Sequence, residues 1–353
     1  MKINKKLIQR AFSMFPRFFQ QQRLYGFSVA LWCLLFPFLR LGFMRPYFAM
    51  KKHKAILMYL SRRYSGVLNN YRNSVVPSES NTINSGTIDS STIDPKSTIW
   101  VSWWDGEEAM PDLVKVCYKT LRQHAGIHPV QLITKYNFKD YISIPDYILE
   151  KVDKKVMTVT HFSNMLRANL LYEYGGIWMD ATILVLKDIA LEDLPFYTLK
   201  APAKKSVSVT LSRFAGIFDT SKPFHNKAIP PVSRWSGFLF AGIKNSPVFA
   251  YMRDILYAYW KDHNDQIDYL LYDYTIALGY DNISLMKKLI DDVPCSEAEK
   301  FVLESNLNTE YSEENFARYY LTPFHKLTWK KGFSQYTKDS KLTIYGYLLN
   351  TFL

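Results

Sequence analysis

Apolar and polar positions divide this chain into three stretches of different pattern. Up to residue 76, basic residues are interleaved with aromatics. Residues 77–97 carry almost no large side chains, and beyond them short apolar runs alternate with amphipathic stretches. Thr98 to Trp103, Val130 to Thr134, Ile177 to Leu186 and Trp235 to Ile243 read as strands. Pro111 opens a helix that runs to about His124. Phe162, Leu166, Leu170 and Tyr174 recur every fourth residue, the apolar stripe of a second helix, and Gly175 suits the left-handed residue that ends it. Pro247 to Trp260 and Asp268 to Tyr280 read as further helices crowded with tyrosine, more often a core feature than a sugar platform. Strands alternating with helices predict an α/β fold with a mostly parallel sheet and a ligand at the strand C-terminal ends.

Polar residues inside the apolar stretches carry the candidate chemistry. Ile177 to Leu186 is nearly all apolar and branched, as in a strand covered on both faces, yet it contains Asp180 and Thr182. A buried carboxylate needs a partner, and two residues apart on a strand both side chains share a face. A metal-bound diphosphate would justify the pair. Asn164 and Arg167, three apart on the preceding helix, can face one ligand.

Charge is distributed unevenly. The chain of 353 residues carries a net charge of +12, and 48% of it is hydrophobic, ample for a core. Fourteen Lys or Arg precede the first acid, Glu79, leaving 30 bases against 32 acids in the rest. The basic charge thus belongs to the N-terminal segment, beside Phe12, Phe15, Phe18, Phe19, Tyr25, Phe27 and Trp32. Sixteen uncharged residues separate Arg23 from Arg40, slightly short for a span and interrupted by Pro37. Such a segment suits a helix lying in an anionic membrane interface; a true span or a helical cap on the enzyme are the alternatives. A nucleic-acid-binding arm is a further reading, but no recognised nucleic-acid motif accompanies the bases. Cys33, Cys117 and Cys295 show no pair spacing, which argues against a disulfide framework or zinc knuckle and fits a reducing cytosol.

The run from Ser163 to Thr182 resembles the donor-binding core of the capsular polysaccharide synthesis proteins, relatives of glycosyltransferase family 32. Their signature is roughly S-D-x-x-R, a short helix, then G-G-x-[YW]-x-D-x-[DT]. Ser163, Arg167, Gly175, Gly176, Trp178, Asp180 and Thr182 match it in order and spacing. The likeness extends to residues 99–121 and to FHKLTWK at 324–330, so it covers about 98 to 330. Two positions depart: Asn164 replaces the usual Asp, and Thr182 stands where the wider group has the second Asp of D-x-D.

The resemblance implies a GT-A-like nucleotide-sugar fold over 98–353; composition adds a polar linker or mobile surface loop at 77–97 and a basic, aromatic, helical membrane-associating segment at 1–76. The resemblance also implies a hexosyltransferase-type enzyme of capsule or exopolysaccharide synthesis, moving sugar from a UDP-sugar or similar donor to a lipid-linked saccharide acceptor. Its place would be the cytoplasmic face of a bacterial inner membrane, and the anomeric configuration would be retained. Asp180 and Arg167 are the implied catalytic residues. Asp180, Thr182 and His325 would hold Mn2+ or Mg2+, while Trp103, Trp104, Gly106, Ser163, Asn164, Arg167, Gly176, Lys326 and Trp329 would bind the donor. A retaining front-face reaction needs no separate base; otherwise Asp219, Asp268 and Asp273 are candidates. The two departures keep open a non-catalytic nucleotide- or sugar-binding subunit of an assembly complex.

Overall fold

Four short apolar strands supply the centre of the fold because they are buried along nearly their whole length. The computed structural model describes residues 5–38, 45–75, 92–191, 193–200, 234–295 and 300–353. Strands β1 (Ile99–Ser102), β2 (Val130–Ile133), β3 (Gly176–Met179), β5 (Phe196–Thr198) and β6 (Leu239–Gly242) form one sheet in the order β2-β1-β3-β6-β5. β1 runs parallel to β2 and to β3, and β6 is antiparallel to both β3 and β5. Four of the five strands therefore point the same way, and the expected α/β class with its mostly parallel sheet is borne out.

Helices α5 (Asp112–Gln123), α7 (Val159–Tyr174), α8 (Pro247–Asp262) and α9 (Leu271–Asn282) lie close to where the periodicity put them. α7 starts at Thr158, whose hydroxyl accepts from the His161 N–H, and stops at Gly175. Gly175 and Gly176 have φ of 69° and 93°, and a side chain at either would collide with backbone. At Gly176 a Cβ would lie 2.4 Å from the Thr98 carbonyl oxygen. Gly176 thus lets β3 seat directly against β1, while Gly175 admits the backbone at the end of β6.

The expected strand from Ile177 to Leu186 is in fact two. β3 ends at Met179, the chain turns through Asp180 to Thr182 with the Ile183 N–H donating to the Asp180 carbonyl, and β4 (Ile183–Val185) begins a separate sheet with β7 (Phe324–Lys326). Both halves are fully buried, so hydrophobicity runs unbroken across a polar turn. A second, smaller core surrounds this two-stranded sheet and includes Leu184, Phe316, Tyr319 and Ile344 of the C-terminal region.

At the N-terminus, α1 (Lys5–Tyr25), α2 (Phe27–Phe38), α3 (Arg45–Arg63) and α4 (Ser65–Tyr71) are helical as expected. Gly26, at φ 87°, separates the first two. The twelve residues of α2 extend roughly 18 Å. Among the described residues no helix is long and apolar enough to cross a membrane. Tyr25, Ile56, Leu60, Tyr64 and Leu68 enter the same core as the sheet. Cross-ties join these helices to α8, α9 and the loop between them: Lys52 to Asp268 (2.7 Å), His53 to Tyr274, Tyr59 to His263 (2.8 Å) and Arg63 to Asp262 (2.9 Å). Packing therefore crosses the boundary expected at residue 76. Of the expected linker, 77–91 lie outside the described residues, and Ile93 is buried with its N–H donating to the Leu194 carbonyl.

Candidate active site

Asp180 follows the last residue of β3, at the same sheet edge where β1 delivers Trp103. Trp178, two residues back on β3, donates its indole N–H to Asp180 Oδ1 at 3.0 Å, as same-face strand positions allow. Arg167 rises from the buried face of α7 and donates to the same oxygen at 3.0 Å, with a second bond to Asn164 Oδ1 at 3.1 Å. Its guanidinium is held between two rings, 5.0 Å from Trp178 and 4.7 Å from Tyr272, a stacked placement that suits a planar cation. Lys326, from β7, donates to Asp180 Oδ2 at 2.8 Å and to Thr182 Oγ1 at 2.7 Å. Its ammonium also lies 5.0 Å from the Phe238 ring centre. The polar turn between β3 and β4 thus brings Asp180 and Thr182 together around one lysine.

A cleft of about 340 Å³ opens over this cluster. Ser163 and Asn164 of α7, Phe238, Tyr269, Asp273 and Lys300 complete its walls with the residues above. Burial by itself would raise the Asp180 carboxyl, but Lys326 and Arg167 outweigh it and hold the group below the usual carboxylate range. Asp273 goes the other way: burial raises it, against the opposing bond from the Trp235 indole at 3.2 Å. Burial also pushes the Tyr272 hydroxyl up to about 12, with Arg167 opposing. Three cations, Arg167, Lys300 and Lys326, and two carboxylates, Asp180 and Asp273, line the cleft, which therefore carries excess positive charge suited to a phosphate group.

Most expected site residues converge here, with corrections. Asp180, Arg167, Thr182, Lys326, Asn164 and Ser163 meet in or beside the cleft. His325 does not: next to Lys326 on β7, it points to the opposite face, is buried, and bonds the Tyr319 carbonyl at 2.9 Å. An Asp180–Thr182–His325 metal triad is therefore not assembled, and among the described residues no three His, Cys, Asp or Glu side chains converge as metal ligands would. Gly176 serves the β1–β3 contact rather than the donor, four residues and roughly 13 Å along the chain from Asp180. Trp104 packs on Phe138 and Phe162 inside the core, whereas Trp103 meets the half-exposed Trp329 edge to face at 5.9 Å. Gly106, at φ 91°, has open space where a side chain would stand.

Of the candidate bases, Asp268 is engaged by Lys52, Asp273 lines the cleft, and Asp219 lies outside the described residues. The expected site set did not include Phe238, Tyr272 or Lys300, and Trp178 stood in it only as a position of the matched motif. Trp178 had a signal, the same-face spacing to Asp180; the other three arrive through tertiary packing alone.

Comparison with known proteins follows the same lines. No curated protein matches the chain. A solved chain titled "PaToxG Glycosyltransferase" is similar at 15% identity, covering 70% of this chain and 84% of that one, with a TM-score of 0.33. Residues 45–348 match the family described as capsular polysaccharide synthesis protein, a span that takes in α3, the whole sheet and the Asp180 cluster. The chain belongs to the capsular polysaccharide synthesis protein family.

Proposed function

We propose that this protein is a glycosyltransferase that takes sugar from a nucleotide-sugar donor and passes it to a saccharide acceptor of capsule or exopolysaccharide assembly. The observation that carries the reading is the cation-rich cleft at the C-terminal ends of β1 and β3, with Asp180 fixed by Arg167, Trp178 and Lys326. Such a site has little covalent chemistry to perform. Breaking the sugar–phosphate bond leaves a nucleoside diphosphate, and preorganised positive groups aimed at that charge lower the barrier. Arg167 and Lys326 supply them, and Asp180 keeps both in place. The Trp103–Trp329 pair, at the same edge, offers an exposed aromatic surface for a base.

In a retaining front-face reaction the acceptor oxygen bonds to the anomeric carbon on the side the diphosphate leaves. The bond electrons stay with the diphosphate, which accepts the acceptor's proton. No dedicated base is then required, and Asp273, its carboxyl raised by burial, lines the wall without having to act as one. Incubating the full chain with UDP-, GDP-, CMP- and dTDP-sugars should release one nucleotide, and Asp180→Ala should abolish that release. Full activity in that variant would remove Asp180 from the site.

A non-catalytic binding subunit is the second reading, favoured by one observation: both carboxylate oxygens of Asp180 are already engaged by side chains of the protein. Nucleotide binding without turnover on any donor would support it. Placement at the cytoplasmic face of a membrane is supported by the basic, acid-free first helix and the exposed Phe15, Phe19 and Phe27. Flotation of the full chain with anionic but not neutral vesicles is the expected result.

A further inference from the structure

The D-A-T turn carries a cation of its own. Lys326 Nζ sits 2.8 Å from Asp180 Oδ2 and 2.7 Å from Thr182 Oγ1, between the two oxygens that the resemblance assigns to a divalent ion. Its position is set by backbone on both sides: Lys326 pairs with Ile183 across β4 and β7, its N–H donates to the Lys300 carbonyl, and the Leu327 N–H donates to the Thr182 carbonyl at 2.9 Å. An ammonium has three N–H donors, so Asp180 and Thr182 leave one for a further acceptor.

The surrounding groups do not fit a divalent metal. The third expected ligand, His325, faces the smaller core. Asp180 Oδ1 already accepts from Arg167 and Trp178. A doubly charged ion at Thr182 would stand beside the ammonium of Lys326 and near the guanidinium of Arg167, with Asp180 as the firmly ionised acid among them. Mg2+ wants six oxygens in octahedral array and usually one or two carboxylates, and this turn offers a single carboxylate with both oxygens engaged.

We propose that Lys326 is the resident cation of this site, an ammonium fixed by Asp180 and Thr182 that takes the place of a divalent metal against the donor diphosphate. Nucleotide binding and sugar transfer then need no added metal. The inference rests on the nucleotide-sugar reading above. During transfer the electrons of the broken sugar–phosphate bond go to the diphosphate, and the acceptor's proton follows them there.

Calorimetric titration of the full chain with UDP, GDP, CDP and dTDP, each in EDTA and in MnCl2, tests it. One diphosphate should bind equally well in both conditions, within about threefold, as expected where charge-assisted hydrogen bonds rather than a metal hold the ligand. Lys326→Ala should weaken binding in EDTA by about tenfold or more, the loss of one such bond. MnCl2 should restore part of it, because Asp180 Oδ2 and Thr182 Oγ1 are then vacated. Binding by the unmodified protein that is present in MnCl2 and lost in EDTA would overturn the proposal and leave the donor reading standing. Failure of every diphosphate in both conditions would remove the donor reading and this proposal with it. The comparison on the unmodified protein decides even if Lys326→Ala does not fold.

Discussion

Two clusters of buried charge differ in their arithmetic. Where α3 meets the segment before α9, Lys52 and Asp268 form an ion pair at 2.7 Å, their side chains 10% and 15% exposed. At the β3–β4 turn, Asp180 answers two bases, Arg167 at 4% exposure and Lys326 at 20%. One acid against one base leaves no charge to spare, and such a pair holds elements in register. Asp180 against two bases, with Asp273 and Lys300 also on the wall, leaves a positive excess on a cleft, and that excess asks for an anion. Both clusters border a cavity, so neither burial nor an opening tells them apart; the balance of charge does, Arg17 and Lys52 against Asp265 and Asp268 around one, Arg167, Lys300 and Lys326 against Asp180 and Asp273 around the other.

The comparison breaks first at Asp180. Asp180→Ala should lower transfer by roughly 10³-fold, in line with removing a preorganised electrostatic group from an active site. The matching substitution in the balanced cluster, Asp268→Asn, should leave nucleotide affinity unchanged while removing the carboxylate that Lys52 meets in a buried position. The expected loss is about 3 kcal/mol of stability, measured by urea unfolding. If Asp268→Asn weakened nucleotide binding and spared stability, the division of labour between the clusters would fail.

The next test uses protons. His53 lies beside Lys52 and bonds Tyr274. Burial, helped by repulsion from Lys52 and opposed by Asp268, drops its imidazole to about 4. The unfolded chain takes up this proton near pH 6.5, whereas the folded chain resists until about pH 4. Its contribution is therefore complete above pH 6.5 and lost as pH falls through that window, approaching roughly 3 kcal/mol at the bottom. Burial depresses His161 and His263 in the same direction. Melting temperature should fall from pH 7 to pH 4, and His53→Gln should flatten the slope. Asp180 acts in the same sense at lower pH, since its carboxyl is held below the usual range.

Legibility in the sequence followed the same contrast. Strand and helix positions were readable from period, because each apolar run was local and bounded by Gly or Pro. Asp180, Thr182 and Arg167 were readable because polar residues in an apolar run demand a partner. The break in the run 177–186 was not, since both halves are equally buried and only their strand partners and the turn hydrogen bond from Ile183 distinguish them. His325 and Lys326 illustrate the limit: adjacent residues of one motif, sent to opposite faces by the pleat. A motif names the strand, but the register of β7 against β4 decides which of the two serves the site. The Lys52–Asp268 pair joins residues 216 apart in sequence, and no local pattern announces it.

The finest test separates holding the cation from being the cation. Thr182→Val keeps the shape of the side chain and removes only the hydroxyl that accepts from Lys326 at 2.7 Å. Asp180 Oδ2 still holds the ammonium, so the charge stays in the cleft but loses one of its two anchors. A single hydrogen bond to a charged group contributes about 1.5 kcal/mol, and freeing the N–H to seek the diphosphate returns part of that. The expected effect is thus a loss of unfolding stability of about 1 kcal/mol and, through the looser ammonium, a loss of nucleotide affinity of about fivefold that is equal in EDTA and MnCl2. A metal held by Thr182 predicts otherwise: the loss would appear in MnCl2 alone. An ammonium and a metal ion would use the same oxygen, and only the dependence of that fivefold loss on added metal tells which one is there.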